Sequence, residues 1–560
     1  MIEPVTLSTK NRAEHLQRLQ QEEFDLLVIG GGITGAGIAL DAAARNLKVA
    51  LLEMQDFAAG TSSRSTKLIH GGLRYLQQFE FKLVREVARE RAVLHQNAPH
   101  LVVPERMLLP LFRNGQLAPW LAYVGVSLYD WLAGVKPKER MQFLSAGKTI
   151  DQEPLLDKTA VKTGILYVEY RTDDARLTIE VVKTAAAHGA LCLNYLKVQD
   201  LILVNGKVAG VAAIDLKTQK QVQVRARQVI NATGPWLDEI RAKSEKVLKK
   251  RLYHTKGVHL VVPRAKLPVK QSMYFEAGAG RMIFVIPRND MTYLGTTDTP
   301  FQEELANPVV TEQDVAYLLN IINTVLPDAQ LQPQDICSSW AGIRPLIYEA
   351  GKSPSAISRK DEIWVSESGL ISVAGGKLTA YRKMAEKVVD VSLQNLSAKY
   401  AYRFRKSVTK HLTLCGGSFS SSNEVTEFTN RLAGKLKSNE LPEQTAKYLV
   451  QTYGKNAAVI VDMAEAKGFT KESLLEAEII YGTEQEMVTS LSDFLIRRTG
   501  RLYFSRLLLG EMTGQVLKTL KKILHLSETE AANQLEEFET ADAQTCSFTV
   551  KAIPEAKNKF

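Results

Sequence analysis

Cysteine is scarce: 560 residues contain four, Cys192, Cys337, Cys415 and Cys546, far apart and with no CxxC pair. That excludes a disulfide framework and a cysteine-based zinc site, and it suits a reducing compartment where each thiol packs as a small apolar side chain. No metal-ligand spacing occurs, so no metal is expected. The first residues, MIEPVTLSTKNRAEHLQRLQQEE, have no apolar core, which argues against a secretory signal and for the cytoplasm. Charge of one sign is not dominant either. Seventy-one Lys+Arg against 61 Asp+Glu leave +10, a surplus that favours phosphate-bearing ligands or an anionic membrane surface and does not indicate nucleic acid. With 45% hydrophobic and 24% charged residues, a disordered chain, a collagen-like fibre and a polytopic membrane protein are excluded. No internal repeats occur, and the length exceeds what one core organises, so at least two domains are expected.

What is present begins at Asp25. DLLVIG is a short apolar run ending in glycines, ITGAGIALDAAARN reads as a tightly packed helix, and KVALLE reads as a second buried strand. This is a βαβ unit. Further strands are predicted over 190–204, 207–215, 228–231 and 369–376, with a helix after Lys377; 251–298 alternates like an antiparallel sheet. The fold class is α/β (α+β overall): a Rossmann-like dinucleotide-binding domain over 24–395 carrying an inserted antiparallel-sheet substrate portion, roughly 101–150 and 251–335. The Gly/Ser-rich stretch 415–424 reads as a linker, 425–538 as a helical C-terminal domain, and 539–560 as a flexible tail.

One stretch, LAPWLAYVGVSLYDWLAGV (117–135), approaches the length of a membrane span but is interrupted by Pro119, Gly125, Ser127 and Asp130. Trp120, Val124, Leu128 and Trp131 share a helical face, and Lys136, Lys138 and Arg140 follow. Two readings stand side by side, a helix lying in a membrane interface and a core helix of the soluble fold.

The segment Gly30-Gly31-Gly32-Ile33-Thr34-Gly35 fits GxGxxG between strand and helix. Gly30 permits the tight turn, Gly32 lets a pyrophosphate approach, and Gly35 allows close helix–strand packing; the helix N-terminus adds N–H groups and a positive dipole. Glu53 ends the next strand, 18 residues after Gly35, where an acid can accept from ribose hydroxyls. NAD and FAD share this fingerprint. Asn231-Ala232-Thr233-Gly234-Pro235, small residues at a strand end, and Ala374-Gly375-Gly376-Lys377-Leu378-Thr379, a glycine turn before a late helix, favour FAD. That second helix start would stabilise the negative charge of a reduced flavin.

These motifs resemble one family, the FAD-dependent glycerol-3-phosphate dehydrogenases that pass electrons to membrane quinones. The match is carried by VIGGGITGAGIALDAAARNLKVALLE, TSSRSTKLIHGGLRYL (61–76), DDARL (173–177), NATGPW (231–236), TKGVHLVVP (255–263), GTTD (295–298), GIRPL (342–346) and GGKLTAYRKMAE (375–386), in the family's order; SDFLIRRTGRLYF (492–504) is similar to the family's C-terminal domain. The resemblance implies oxidation of sn-glycerol 3-phosphate to dihydroxyacetone phosphate, with hydride passing from C2 to flavin N5. It also implies noncovalently held FAD, a membrane quinone as acceptor, and peripheral attachment to the inner face of the cell membrane. A homodimer is compatible with it. The glycerol-3-phosphate oxidases, which reduce oxygen to peroxide, share the motifs and are longer by an insertion not seen here. An amine oxidase on the same fold would need a carboxylate clamp. A flavin-fold RNA-binding or scaffold protein would need aromatic residues interleaved with the basic run 403–410, which has few.

Under this resemblance the residues take roles. His70, in a glycine-flanked loop, becomes the candidate base or proton shuttle. Arg344, kept extended by Pro345, becomes the cation that holds the C2 oxygen. Arg74, Tyr75, Lys256, Thr297 and Lys377 are candidates for phosphate and substrate-oxygen contacts. Lys377 at a helix start opposes the dipole, a local cost that suggests a ligand. His259 is as readily structural. The cofactor set comprises Gly30, Gly32, Ile33, Thr34, Gly35, Glu53, Thr61, Ser62, Ser63, Lys67, His70, Val198, Ala232, Thr233, Gly234, Trp236, Gly376, Lys377, Leu378 and Thr379.

Overall fold

The computed structural model describes residues 7–70, 81–115, 126–127, 140–245, 250–278, 281–348, 361–400, 405–438 and 441–548. Strand Glu23–Ile29 is buried on both faces: Leu26 and Val28 belong to one apolar cluster, Leu27 and Ile29 to another. Such two-sided burial is what a continuous apolar run requires. The strand pairs in parallel with Val49–Leu52 on one side and Gln221–Asn231 on the other, and Leu191–Leu193 and Ile371–Ala374 extend the parallel core. Helix Ile33–Ala44 covers one face, flanked by Asp174–Ala187 and Tyr381–Tyr400. Leu196–Val204 and Lys207–Asp215 pair antiparallel with each other, and the latter continues onto Gln221–Asn231.

Among the described residues a second, ten-stranded sheet carries the alternating segments predicted over 251–298: Leu252–Pro263, Ser272–Glu276, Met282–Arg288 and Met291–Gly295. It also takes in Val161–Arg171, paired with Val103–Phe112, and Ser338–Ile347, paired along Leu252–Pro263. Those two strands lie outside the ranges read from the sequence. The stretch 117–135 falls outside the described residues except Val126 and Ser127. Among the described residues no helix is long and apolar enough to cross a membrane.

The C-terminal helices begin earlier and end later than their sequence suggests. Ser421 caps helix Ser422–Lys437, inside the stretch read as a linker. Cys415 donates its backbone N–H to Thr184, and a Cβ on Gly416 would lie 2.4 Å from the Tyr453 carbonyl oxygen. This glycine-rich segment is therefore packed. The last helix runs from Glu528 to Cys546, through the first residues of the stretch read as a tail, started by a capping box between Ser527 and Glu530. Its far end is anchored because the Thr545 carbonyl accepts from Ser339 of the second sheet.

Charged groups buried between the C-terminal helices and the dinucleotide domain join the two. Glu486 accepts from Arg176 and Lys183, while Arg498, fully buried, donates to Asp56 and to the Glu486 carbonyl. Burial alone would raise the Glu486 carboxyl, but Arg176 and Lys183 overcome it and hold the group down at about 2, from an ordinary 4.5. A carboxyl depressed on folding contributes stability that is present above 4.5 and is lost as pH falls through about 2. Unfolding midpoints measured across that window should therefore fall less steeply in Glu486→Gln than in the parent. Equal slopes would mean that Glu486 is not the titrating group.

Candidate functional site

The glycine loop follows directly from the first strand. Gly30 has φ +107°, and a Cβ there would lie 2.6 Å from the Ala232 carbonyl oxygen, so the two strand ends meet only because no side chain intervenes. A Cβ on Gly35 would fall 1.8 Å from the Gly30 carbonyl oxygen. Gly35→Ala should push helix Ile33–Ala44 off the loop and weaken flavin binding about tenfold or more; titration of the apoprotein with FAD would read this, and unchanged affinity would sink it.

Ser62 lies over the loop. Its Oγ accepts from Ile33 N–H at 2.9 Å, leaving its own hydrogen to donate. The first N–H groups of a helix have no partner within it, so those of Thr34 and Gly35 face the same side with the positive end of the dipole. Glu53 accepts from Gly31 N–H at 2.6 Å and from Gln55 N–H at 2.8 Å. Burial pushes its carboxyl up, and the two N–H groups oppose this without cancelling it.

These groups open onto a cavity of about 500 Å³. Gly30, Gly32, Ile33, Thr34, Glu53, Thr61, Ser62 and Val198 line it, as do Ala232, Thr233, Gly234, Trp236, Gly376, Lys377 and Leu378. Met54, Gln55, Lys197, Gln199, Glu239 and Lys243 line it too; only their neighbours, Glu53, Val198 and Trp236, had signalled the place. Asp174 was also missed as a wall residue. It accepts from Ser65 and from Lys67, although the DDARL motif that contains it was noticed.

Several predicted contacts have other partners. Lys67 is buried with its ammonium on Asp174 at 2.5 Å and on the Ser63 carbonyl; burial would lower its pKa, but Asp173 and Asp174 raise it on balance. The Thr61 hydroxyl donates to the Ile343 carbonyl, Ser63 is buried with its hydroxyl on the Gly60 carbonyl, and the Thr379 hydroxyl goes to the His70 carbonyl. Lys256 is salt-bridged to Asp314 at 2.6 Å, the residue that also closes the capping box of helix Glu312–Val325. The Thr297 hydroxyl accepts from Val258 N–H and donates to the Lys256 carbonyl. Of these, Thr61 also lines the cavity, whereas Ser63, Lys67, Lys256, Thr297 and Thr379 hold elements together and are not part of its wall. His259 stacks on Trp340 at 5.0 Å; burial, with Arg344 and Lys67 nearby, keeps its imidazole neutral.

At the Lys377 end, Arg344 lies on strand Ser338–Ile347, extended as its Pro345 neighbour implied, and Pro345 itself lines the cavity. Its guanidinium donates to Thr296 Oγ1, the Thr297 carbonyl and Asp298, passing over Gly257, where a Cβ would lie 2.1 Å from it. The His70 carbonyl is tied to Thr379, two residues beyond Lys377, and its ring packs edge-on against Phe284 at 5.9 Å. The structure thus ties the His70 backbone to the turn that carries Lys377, and sets Arg344 next to the cavity-lining Pro345. Arg74 and Tyr75 lie outside the described residues.

The donor set fits a flavin dinucleotide: a glycine cradle that any Cβ would fill, an acid held by two N–H groups, and a second glycine turn, Gly375-Gly376, with φ +73° and +96°. Comparison with known proteins agrees. The profile of the family described as FAD dependent oxidoreductase matches residues 25–382, and that of the C-terminal domain of alpha-glycerophosphate oxidase matches 407–531. The aerobic glycerol-3-phosphate dehydrogenase of Bacillus subtilis is 49% identical over 504 residues, 89% of this chain and 90% of that one. Its counterpart in Staphylococcus saprophyticus is 44% identical, covering 97% and 98%. The crystal structure of the glycerol-3-phosphate dehydrogenase from Bacillus halodurans complexed with FAD superposes with a TM-score of 0.83 at 38% identity, covering 98% of this chain and all of that one.

Proposed function

Because the chain belongs to the FAD-dependent glycerol-3-phosphate dehydrogenases, we propose that it oxidises sn-glycerol 3-phosphate to dihydroxyacetone phosphate and delivers the electrons to a membrane quinone. The observation that carries this reading is a dinucleotide cavity whose wall includes Lys377 and Pro345, with the cation next to Pro345, Arg344, held by Thr296, Thr297 and Asp298. When bound, FAD supplies the hydride acceptor.

The chain's own residues do the rest. Thr34 and Gly35 N–H groups and the Ser62 hydroxyl hold the pyrophosphate, Glu53 accepts from the ribose, Val198 meets the adenine through its backbone, and the Gly376–Leu378 turn faces the flavin ring. Arg344, held by Thr296, Thr297 and Asp298, is pre-positioned to stabilise negative charge on the C2 oxygen. His70 takes the hydroxyl proton. Lys377 and Arg74 bind the phosphate and Tyr75 a substrate oxygen, so Lys377→Ala should raise the apparent substrate constant more than it lowers turnover. Attachment to the inner face of the cell membrane is peripheral, through the aromatic stretch 117–135; flotation with liposomes unaffected by polar changes at Trp120 and Trp131 would return that stretch to the core.

The deciding experiment is an anaerobic visible spectrum before and after sn-glycerol 3-phosphate. Bleaching of the flavin bands, with slow recolouring in air and fast recolouring by a quinone analogue, is expected. A flavin that stays oxidised would refute the substrate, and rapid recolouring with peroxide release would make the acceptor oxygen.

A further inference from the structure

A second, smaller cavity of about 60 Å³ lies behind the Asp173–Asp174 turn, walled by the dinucleotide domain, the second sheet and the C-terminal helices. Four side chains lining it carry buried polar atoms that no described residue satisfies: both ring nitrogens of His100, Oγ1 of Thr172, Nε of Arg176 and Nη1 of Arg288. Buried polar atoms without partners are uncommon, and each costs about 1–3 kcal/mol. Five in one cavity call for an occupant.

The chemistry of the set says which. Two guanidinium groups can only donate, while the hydroxyl and the neutral imidazole each offer one hydrogen and also an acceptor. The carboxylate in the wall, Asp173, is already engaged by Arg176 N–H and by Arg288 at 2.8 Å. Arg176 in turn is paired with Glu180 and Glu486, and Arg171, also in the wall, with Glu105. The arginine charges are therefore matched, yet Arg176 Nε and Arg288 Nη1 are left as spare donors on residues that line the cavity. Among these unsatisfied atoms, donors outnumber acceptors. The volume takes on the order of two solvent-sized species.

We propose that this cavity binds one monovalent anion of halide size, held by Arg288, Arg176, Thr172 and an imidazole N–H of His100. The bound anion fastens the C-terminal helices, through the wall they share at Tyr448 and Thr499, to the segment that continues into Asp174. Asp174 is itself part of the dinucleotide cavity. The site is independent of the substrate proposed above.

Crystals of the flavin-loaded protein grown in bromide, measured at the bromine absorption edge, should show one anomalous peak in contact with Arg288 and Thr172. Water density without anomalous signal would overturn the proposal. In solution, the unfolding midpoint should be about 2 °C higher in chloride than in gluconate at equal ionic strength, and the isosteric Thr172→Val should lose at least half of that difference. No difference in the parent, or the full difference in the variant, would overturn it. So would a midpoint raised by phosphate and not by halide, which would assign the donors to an oxyanion. Should Thr172→Val fail to fold, the anomalous measurement on the parent decides.

Discussion

Gly257→Ala should slow flavin reduction by glycerol 3-phosphate about 10²-fold while leaving FAD bound and the unfolding midpoint nearly unchanged. A Cβ at this position would lie 2.1 Å from Nη2 and 2.4 Å from Cζ of Arg344. The clash is with the far end of a flexible side chain, so the backbone need not move and the cost in stability is small. The guanidinium must leave, and with it go the bonds to Thr296, the Thr297 carbonyl and Asp298 that fix its direction. If Arg344 holds the C2 oxygen, an alanine that never touches substrate removes it. The double variant with Arg344→Ala should then be no slower than Arg344→Ala alone, because both changes remove the same interaction. Stopped-flow reduction at the parental rate in Gly257→Ala would show that the direction of Arg344 does not matter, and the role assigned to it would fall.

Arg498→Ala is expected to be the more destructive change, costing about 3–5 kcal/mol of stability. Its guanidinium is fully buried and makes two bonds to Asp56, at 2.7 and 2.9 Å, and two to the Glu486 carbonyl. Removing it leaves Asp56 to Arg497 and Asn194 and leaves the Glu486 carbonyl short of donors. The damage reaches the cofactor. Asp56 follows Met54 and Gln55 in the cavity wall and lies on the loop whose Glu53 closes onto Gly31. Weaker FAD binding should therefore accompany the lower unfolding midpoint, and excess FAD should restore part of the midpoint, since a ligand that binds only the folded state stabilises it. Denaturant unfolding with and without added FAD measures both. A midpoint unmoved by the change would mean that the C-terminal helices are held by apolar packing alone.

Where sequence neighbours supply both partners, the reading held. A Cβ on Gly35 would lie 1.8 Å from the carbonyl oxygen of Gly30 in the same turn, whereas Gly30 and Gly32 meet Ala232 and Ser62, which the motif alone does not reveal. Alternation picks out the strands from Leu252 to Gly295, although the structure buries both faces of Val258–Val262 and Met291–Leu294. Cations read as ligand contacts went astray where their partners are remote. Lys256 meets Asp314, 58 positions away, and Lys67 meets Asp174, 107 away; an unpaired lysine and a salt-bridged one look alike in a sequence. The linker reading failed for a related reason. Glycine and serine mark flexibility when exposed, but Gly416 is small so that the Tyr453 backbone can come within contact.

By itself the sequence determined a βαβ dinucleotide unit, its acid at Glu53, a second antiparallel sheet and a helical C-terminal part, because periodicity and turn chemistry are written in adjacent residues. Only the tertiary structure decided which of many charged groups face the cavity and which pair with one another. It seated Pro345 at the cavity with Arg344 strapped beside it, and it locked the C-terminal helices onto Asp56. Charge pairing and close approach are properties of distance, and the distances that matter here join residues tens to hundreds of positions apart.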